Sequence, residues 1–306
     1  MRAIVASDFG GVERLHVEHV DSPAPGPGRV RVRVAAAAVN PSDVKRLQGA
    51  FGTSGTTPFR LGSEVSGTVT ALGEGVAGIA VGDAVIAFRV SGGFAEEVVA
   101  READVFAKPE SLGWSEAAGL LLTGTTAYHC LEATGVGEGD RVLLHGAAGA
   151  VGVAVVQLAL ARGATVLGTA SERNFDVVRS LGATPVAYGD ALIERARPFA
   201  PTVAIDAVGT DEAIDVSLAL VEEPGRIATI SAFERAAGTG IRMLGGGAGA
   251  DPGTELRNGA RGDLVRLAGA GGLRVLVGRE LPLESAAEAF ELVASGHAGG
   301  KVVLVP

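Results

Sequence analysis

The chain has 306 residues, 47% of them hydrophobic and 20% charged, which predicts a folded protein of two domains or one large one. A formal net charge of −9, with no cluster of lysine and arginine, argues against nucleic acid or an anionic membrane as partner. The single cysteine, Cys130, excludes an intramolecular disulfide and any zinc site built on several thiolates.

The opening, MRAIVASDFG, has no signal-peptide core, and a cytoplasmic location is expected. Residues 21–28, DSPAPGPG, form a turn segment, and RVRVRV at 29–34 alternates arginine with valine at the period of a half-buried strand. EVSGTVTALG, DAVIAF and AEEVVA follow as short strands split by glycine turns, the texture of a compact antiparallel barrel or sandwich. SEAAGLLLTGTTAYHCLEATG reads as a helix opening on Ser115. Beyond it, strands and helices alternate. DRVLLHG leads into a helix at 151–162, ATVLGTA at 164–170 into a helix at 174–181, and VAIDAVG at 203–209 into a helix at 211–220, before the strand GRIATIS. Such alternation predicts a parallel sheet with helices on both faces.

The glycine-rich stretch 236–262 is expected to hold an edge strand near 240–244 and then a mobile loop, with GDLVRLAGAG as a helix. The tail gives a helix and a final strand whose apolar KVVLV should pair inside a sheet. The most apolar stretch, 142–161, is interrupted by His145, Gln157 and glycines, so it reads as a buried strand and helix, and no membrane insertion is expected.

HGAAGAVG at 145–152 joins a strand to a helix. Glycine lets a chain turn sharply and present bare N–H groups, and the first turn of a helix carries unpaired donors and partial positive charge. In this setting the turn predicts a dinucleotide site, with the pyrophosphate against Ala148, Gly149, Ala150, Val151 and Gly152. The next strand ends at SERN, where the adenosine ribose should lie. Ser171, Arg173 and Asn174 offer donors to a 2′-phosphate, which favours NADPH. Glu172 is either a ribose ligand, as an NAD enzyme would use, or a solvated acid at a helix start.

These stretches, with VNPSDVKRLQGAFG, LGSEVSGTV, VGDAVIAF, GGFAEEVVA, LLTGTTAYHCL and HAGGKVVL, resemble the medium-chain dehydrogenase/reductase superfamily. Within it, the chain is most similar to the zinc-free NADPH:quinone oxidoreductase, zeta-crystallin-like, branch. The resemblance implies an α/β protein: a GroES-like substrate domain from 1–114 and 275–306, and a Rossmann NADP-binding domain from 115–274. The C-terminal strand would return to the first domain. It implies Asn40 and Asp43 as active-site residues, although Asn40-Pro41-Ser42-Asp43 also reads as a helix cap. Thr126, Val208, Gly209 and Lys301 would contact the cofactor. The positions that hold zinc in alcohol dehydrogenases match Asn40 and Ser63, neither a good zinc ligand, and the cysteine-rich lobe of a structural zinc is missing. His129 and Cys130 are adjacent and read as packing residues. No metal is expected.

The activity so implied is zinc-independent hydride transfer from NADPH to a quinone. An enone or enoyl double-bond reductase is the alternative. It is weakened because Phe51 stands where related enoyl reductases carry a tyrosine, and phenylalanine cannot donate a proton. A non-catalytic NADPH-binding sensor or structural protein is a third reading. Tyr128 reads as a packed helix residue, and Trp114 as either a core residue or a quinone-stacking platform. A homodimer joined near 240–244 is implied by the resemblance alone.

Overall fold

The structure is a computed structural model and describes residues 1–53 and 56–306. They form two units. The first takes Met1–Leu122, Val265–Gly271 and Val275–Pro306, and the second takes Thr123–Leu264 and Gly272–Arg274.

The first unit opens with β1 (Arg2–Ala6) and β2 (Leu15–His19), followed by β3 (Arg29–Val39). Helix α1 (Pro41–Leu47) comes next, then β4 (Phe59–Arg60), β5 (Glu64–Leu72), β6 (Ala84–Phe88), β7 (Glu97–Arg101) and β8 (Val105–Ala107). The alternating RVRVRV is only the first half of β3. The strand runs on to Val39, and over Ala36–Val39 burial stops alternating because both faces are covered. Its length lets it pair with β7 at Arg29–Arg33 and with β5 along nearly its whole span.

The long helix expected from Ser115 is two helices, α2 (Trp114–Ala118) and α3 (Leu120–Ala133). Their break falls at Gly119, where a Cβ would lie 2.9 Å from Lys301 Cγ. Trp114 is not a core residue: it is 37% exposed, with the Lys108 ammonium 5.0 Å above its ring. Its carbonyl accepts from Ser66 Oγ.

The second unit starts from β9 (Arg141–His145), α4 (Ala150–Ala161), β10 (Thr165–Ala170), α5 (Phe175–Ser180) and β11 (Thr184–Ala187). It continues through α6 (Leu192–Ala196), β12 (Val203–Asp206), α7 (Asp211–Leu220), β13 (Ile227–Thr229), α8 (Phe233–Ala236), β14 (Arg242–Met243) and the first eleven residues of α9 (Thr254–Gly269), the rest of which belongs to the first unit. Its six strands lie in the order β11-β10-β9-β12-β13-β14, all parallel. The order reverses between β9 and β12, which puts a ligand crevice beyond their carboxyl ends. Leu143, Leu167, Ala204, Ile214 and Ile227 form its buried core.

The 236–262 stretch departs from expectation. The edge strand is present as β14, but the helix begins at Thr254, eight residues before GDLVRLAGAG. Between them, Leu244 bridges Asp251 in parallel, and the Gly245 N–H donates to the Asp251 carbonyl. The expected mobile loop is thus a bonded turn.

Two strands complete the first unit: β15 (Val277–Pro282) and, after α10 (Ala286–Ala294), β16 (Lys301–Val305). β16 runs parallel to β15 and antiparallel to β3, so KVVLV is interior as expected. Phe290 of α10 meets Phe94 edge-on at 5.8 Å in the core. Among the described residues no helix is long and apolar enough to cross a membrane.

Candidate functional site

In the second unit the glycine turn lies where β9 meets α4. Gly146 takes a φ of +85°, and Gly149 caps the helix. A Cβ on Gly152 would lie 2.1 Å from the Gly146 carbonyl oxygen, so the helix approaches the turn as only glycine allows. Ala148, Gly149, Ala150 and Val151 are not buried. As the first-turn donors of a twelve-residue helix, the N–H groups of Ala150, Val151 and Gly152 have no intrahelical partner. The geometry fits a pyrophosphate.

Ser171 and Asn174 are half-buried, and Glu172 and Arg173 exposed, in the single turn that follows β10. No hydrogen bond or ion pair engages the Arg173 guanidinium among the described residues. β10 and β11 end level, with Ala170 against Ala187, so Ser171 and the exposed Tyr188 leave the sheet as neighbours. The sequence did not single out Tyr188 as a residue beside this turn. Its signal was an aromatic residue at the end of a strand too short and too weakly patterned to be read.

At the end of β12, Asp206 Oδ1 accepts the N–H groups of Val208 and Gly209, both at 2.9 Å, and Oδ2 accepts the Thr229 hydroxyl at 2.7 Å. The carboxylate thereby fixes the turn and leaves the Val208 side chain 47% exposed. His145 is a packing residue. Ser217 Oγ donates to the Ala213 carbonyl at 2.6 Å, so it accepts from His145 Nε2 at 3.1 Å. Burial lowers the His145 pKa and keeps the ring neutral.

Thr126 is buried on α3, and its hydroxyl accepts from Arg257 Nη1 at 3.3 Å. Arg257 Nε donates to His129 Nδ1 at 3.1 Å, and His129 Nε2 lies 3.4 Å from Asp251. Burial lowers the His129 pKa, with Arg257 acting in the same direction. Cys130 is fully buried and its thiol is pushed up to about 12 by burial, so it is inert at neutral pH. Tyr128 stacks beneath the Arg162 guanidinium at 5.3 Å, as a packed helix residue does. Among the described residues no group of three or more His, Cys, Asp or Glu could hold a metal ion.

In the first unit a charged cluster lies buried at the head of α1. Strand pairing builds it. Val39 faces Val302 and Ala37 faces Val65, so Asn40, Glu64 and Lys301 come to the same end of three adjacent strands. Lys301 Nζ donates to Glu64 Oε1 at 2.8 Å and to Asn40 Oδ1. Asn40 Nδ2 donates to Glu64 Oε1 at 3.1 Å and to the Ala38 carbonyl at 3.3 Å. Glu64 Oε2 accepts from the Leu122 N–H at 2.9 Å.

Asp43 Oδ2 accepts the Asn40 N–H at 2.9 Å, so the segment is a helix cap as well as part of the cluster. Burial pushes the Asp43 carboxyl up to about 7, against the pull of the Asn40 N–H. The Ser63 hydroxyl is buried without a partner among the described residues. Glu64 went unread in the sequence. Its signal was a lone carboxylate heading a strand that is otherwise uncharged. Lys301, expected at the cofactor, is buried and committed to Asn40 and Glu64. Phe51 is exposed.

A parallel sheet with a glycine turn at its switch point, in a chain that also carries a β-rich unit, fits the dinucleotide-binding class of protein. The comparisons agree. Residues 26–110 match the alcohol dehydrogenase GroES-like domain, and residues 181–304 match the zinc-binding dehydrogenase family. An NADPH-dependent alkenal/one oxidoreductase of Arabidopsis thaliana is 32% identical over all of this chain and 80% of its own. The solved quinone oxidoreductase of Coxiella burnetii is 30% identical, with a TM-score of 0.84 over all of this chain and 99% of its own. A solved NAD-dependent alcohol dehydrogenase is 31% identical, with a TM-score of 0.89 over the whole of both chains. The chain belongs to the medium-chain dehydrogenase/reductase superfamily, in its quinone oxidoreductase family.

Proposed function

We propose that the protein reduces a quinone-type acceptor with NADPH and without zinc. The observation that carries this reading is the Lys301 ammonium bonded to Asn40 and Glu64. Asn40 and Ser63 match the positions from which zinc-dependent relatives hold their metal. Here that cluster already contains a buried cation, and its side chains donate only oxygen, with neither thiolate nor imidazole. An acceptor that takes hydride readily, as a quinone does, needs no Lewis acid.

The second unit would bind the cofactor. First-turn N–H groups at Ala150, Val151 and Gly152 hold the pyrophosphate beside Ala148 and Gly149. Ser171, Arg173 and Asn174 take the 2′-phosphate, and Thr126, Val208 and Gly209 border the nicotinamide half. Bound NADPH supplies the hydride. In the first unit, Asn40 and Asp43 line the reaction site, with Lys301 behind them. Phe51 offers no proton, so solvent protonates the reduced quinone.

An enone is the second reading, favoured by the name of the Arabidopsis relative. A second copy of the chain is proposed to pair along β14, one of the two edge strands of the parallel sheet.

The test is a titration of the protein with NADPH and NADH, followed by reoxidation with a quinone and an enone. Tighter binding of NADPH and rapid reoxidation by the quinone support the reading. Reoxidation by the enone alone supports the second one. Equal affinity for the two cofactors moves the ribose contact to Glu172. Binding without reoxidation by either acceptor overturns both readings and leaves a cofactor-binding protein.

A further inference from the structure

The Asn40 amide is held by groups of opposite charge. Lys301 donates to its oxygen, and Glu64 accepts from its nitrogen. Turned over, the amide would set its NH2 against the ammonium and its oxygen against the carboxylate, two repulsive contacts in a buried place. We infer that Glu64 and Lys301 are a positioning pair that locks this amide in one orientation and leaves it an acceptor only. The inference rests on the reading that Asn40 belongs to the active site.

A count of bonding positions gives the consequence. A primary amide has two N–H donors and two lone pairs on oxygen. Both donors are used, one on Glu64 and one on the Ala38 carbonyl, while Lys301 takes one lone pair. The ligand group that meets Asn40 is therefore a hydrogen-bond donor, a hydroxyl or an N–H. The oxygen of an oxidised quinone gains nothing from Asn40, and the hydroxyl of the reduced hydroquinone does. A ribose hydroxyl or the carboxamide of the cofactor has the same chemistry.

Removing Lys301 alone strands the buried Glu64 carboxylate, so the informative variant is the neutral pair Glu64→Gln with Lys301→Met. The first readout is hydrogen exchange of the Asn40 side-chain amide by 15N NMR, with the resonance assigned by its loss in Asn40→Asp. The amide should be protected in the wild type and exchange at least about tenfold faster in the folded double variant, as for a lost charge-assisted hydrogen bond. Lys301→Arg, which keeps the cation, should keep the protection. The second readout is the pair formed by the NADPH Kd and the kcat with quinone. A raised Kd at constant kcat assigns the donor to the cofactor, and a lowered kcat at constant Kd assigns it to the reduced acceptor. Either supports the inference. A folded double variant with unchanged exchange, Kd and kcat overturns it. If the wild type turns over no acceptor, the proposed function fails, and the exchange rate still decides for or against the lock.

Discussion

Asp43→Asn should change how stability depends on pH. The Asp43 carboxyl is buried and its pKa is pushed up to about 7, against an ordinary value of 3.8. The folded state therefore holds this proton where the unfolded chain has released it. Below the unfolded value the group has no effect. Between about 4 and about 7 it destabilises the fold increasingly, and above about 7 the penalty is constant. Between pH 5 and 7 the loss is about 2 kcal/mol, because each tenfold difference in proton affinity between the folded and unfolded chain is worth about 1.4 kcal/mol. An asparagine in its place can still accept the Asn40 N–H, and it does not titrate. His129 and His145, with lowered pKa values, act in the opposite direction, since the unfolded chain binds their protons first. Both are present in wild type and variant and cancel in the comparison. Urea melts of the two proteins at pH 5 and pH 7 measure the difference directly. The variant should lose less stability than the wild type on going to pH 7. Parallel pH profiles would refute the burial argument for Asp43.

Gly152→Ala should destabilise the second unit by about 1–3 kcal/mol and abolish NADPH binding, because its methyl group would meet backbone rather than a movable side chain. Wild-type melting and binding would refute this. Arg173→Ala should weaken NADPH by about 1.5–3 kcal/mol, as for a lost charge-assisted contact, and leave NADH unchanged. Calorimetric titration of both cofactors separates that result from a general loss of the turn. Gly253→Ala should cost about 1–3 kcal/mol in a denaturant melt, since Gly253 has a φ of +55° and its Cβ would lie 2.3 Å from the His129 ring. A melt indistinguishable from wild type would count against that packing.

The alternation of strand and helix in the second unit was legible because its central strands, β9, β10, β12 and β13, are almost wholly buried apolar runs, and because Thr210 caps α7. The helix at 211–220 falls on α7, residue for residue. β11 was not legible: its four residues, TPVA, contain a proline and no alternation. The start of α9 was missed because TELRNGARG has no apolar face long enough to mark a helix. At the break, the place a Cβ on Gly119 would take is filled by Lys301, far away in the chain, and local pattern cannot report that crowding. The same holds for the site. Asn40 and Asp43 stood out through their motif, whereas Glu64 and Lys301 acquire meaning only when β5 and β16 flank β3.

Asn40 and Lys301 touch across 261 residues of chain. A ribosome makes β3 early and β16 only after the whole second unit. Until then the distal half of β3 has one neighbour instead of two, with its amide and carbonyl groups open to any other extended chain. The second unit draws its six strands from one unbroken stretch and can form while the first still waits. During synthesis the vulnerable species is thus a folded nucleotide-binding half carrying an unfinished sheet. A chaperone that shields that open edge would help this chain more than one that speeds the parallel sheet.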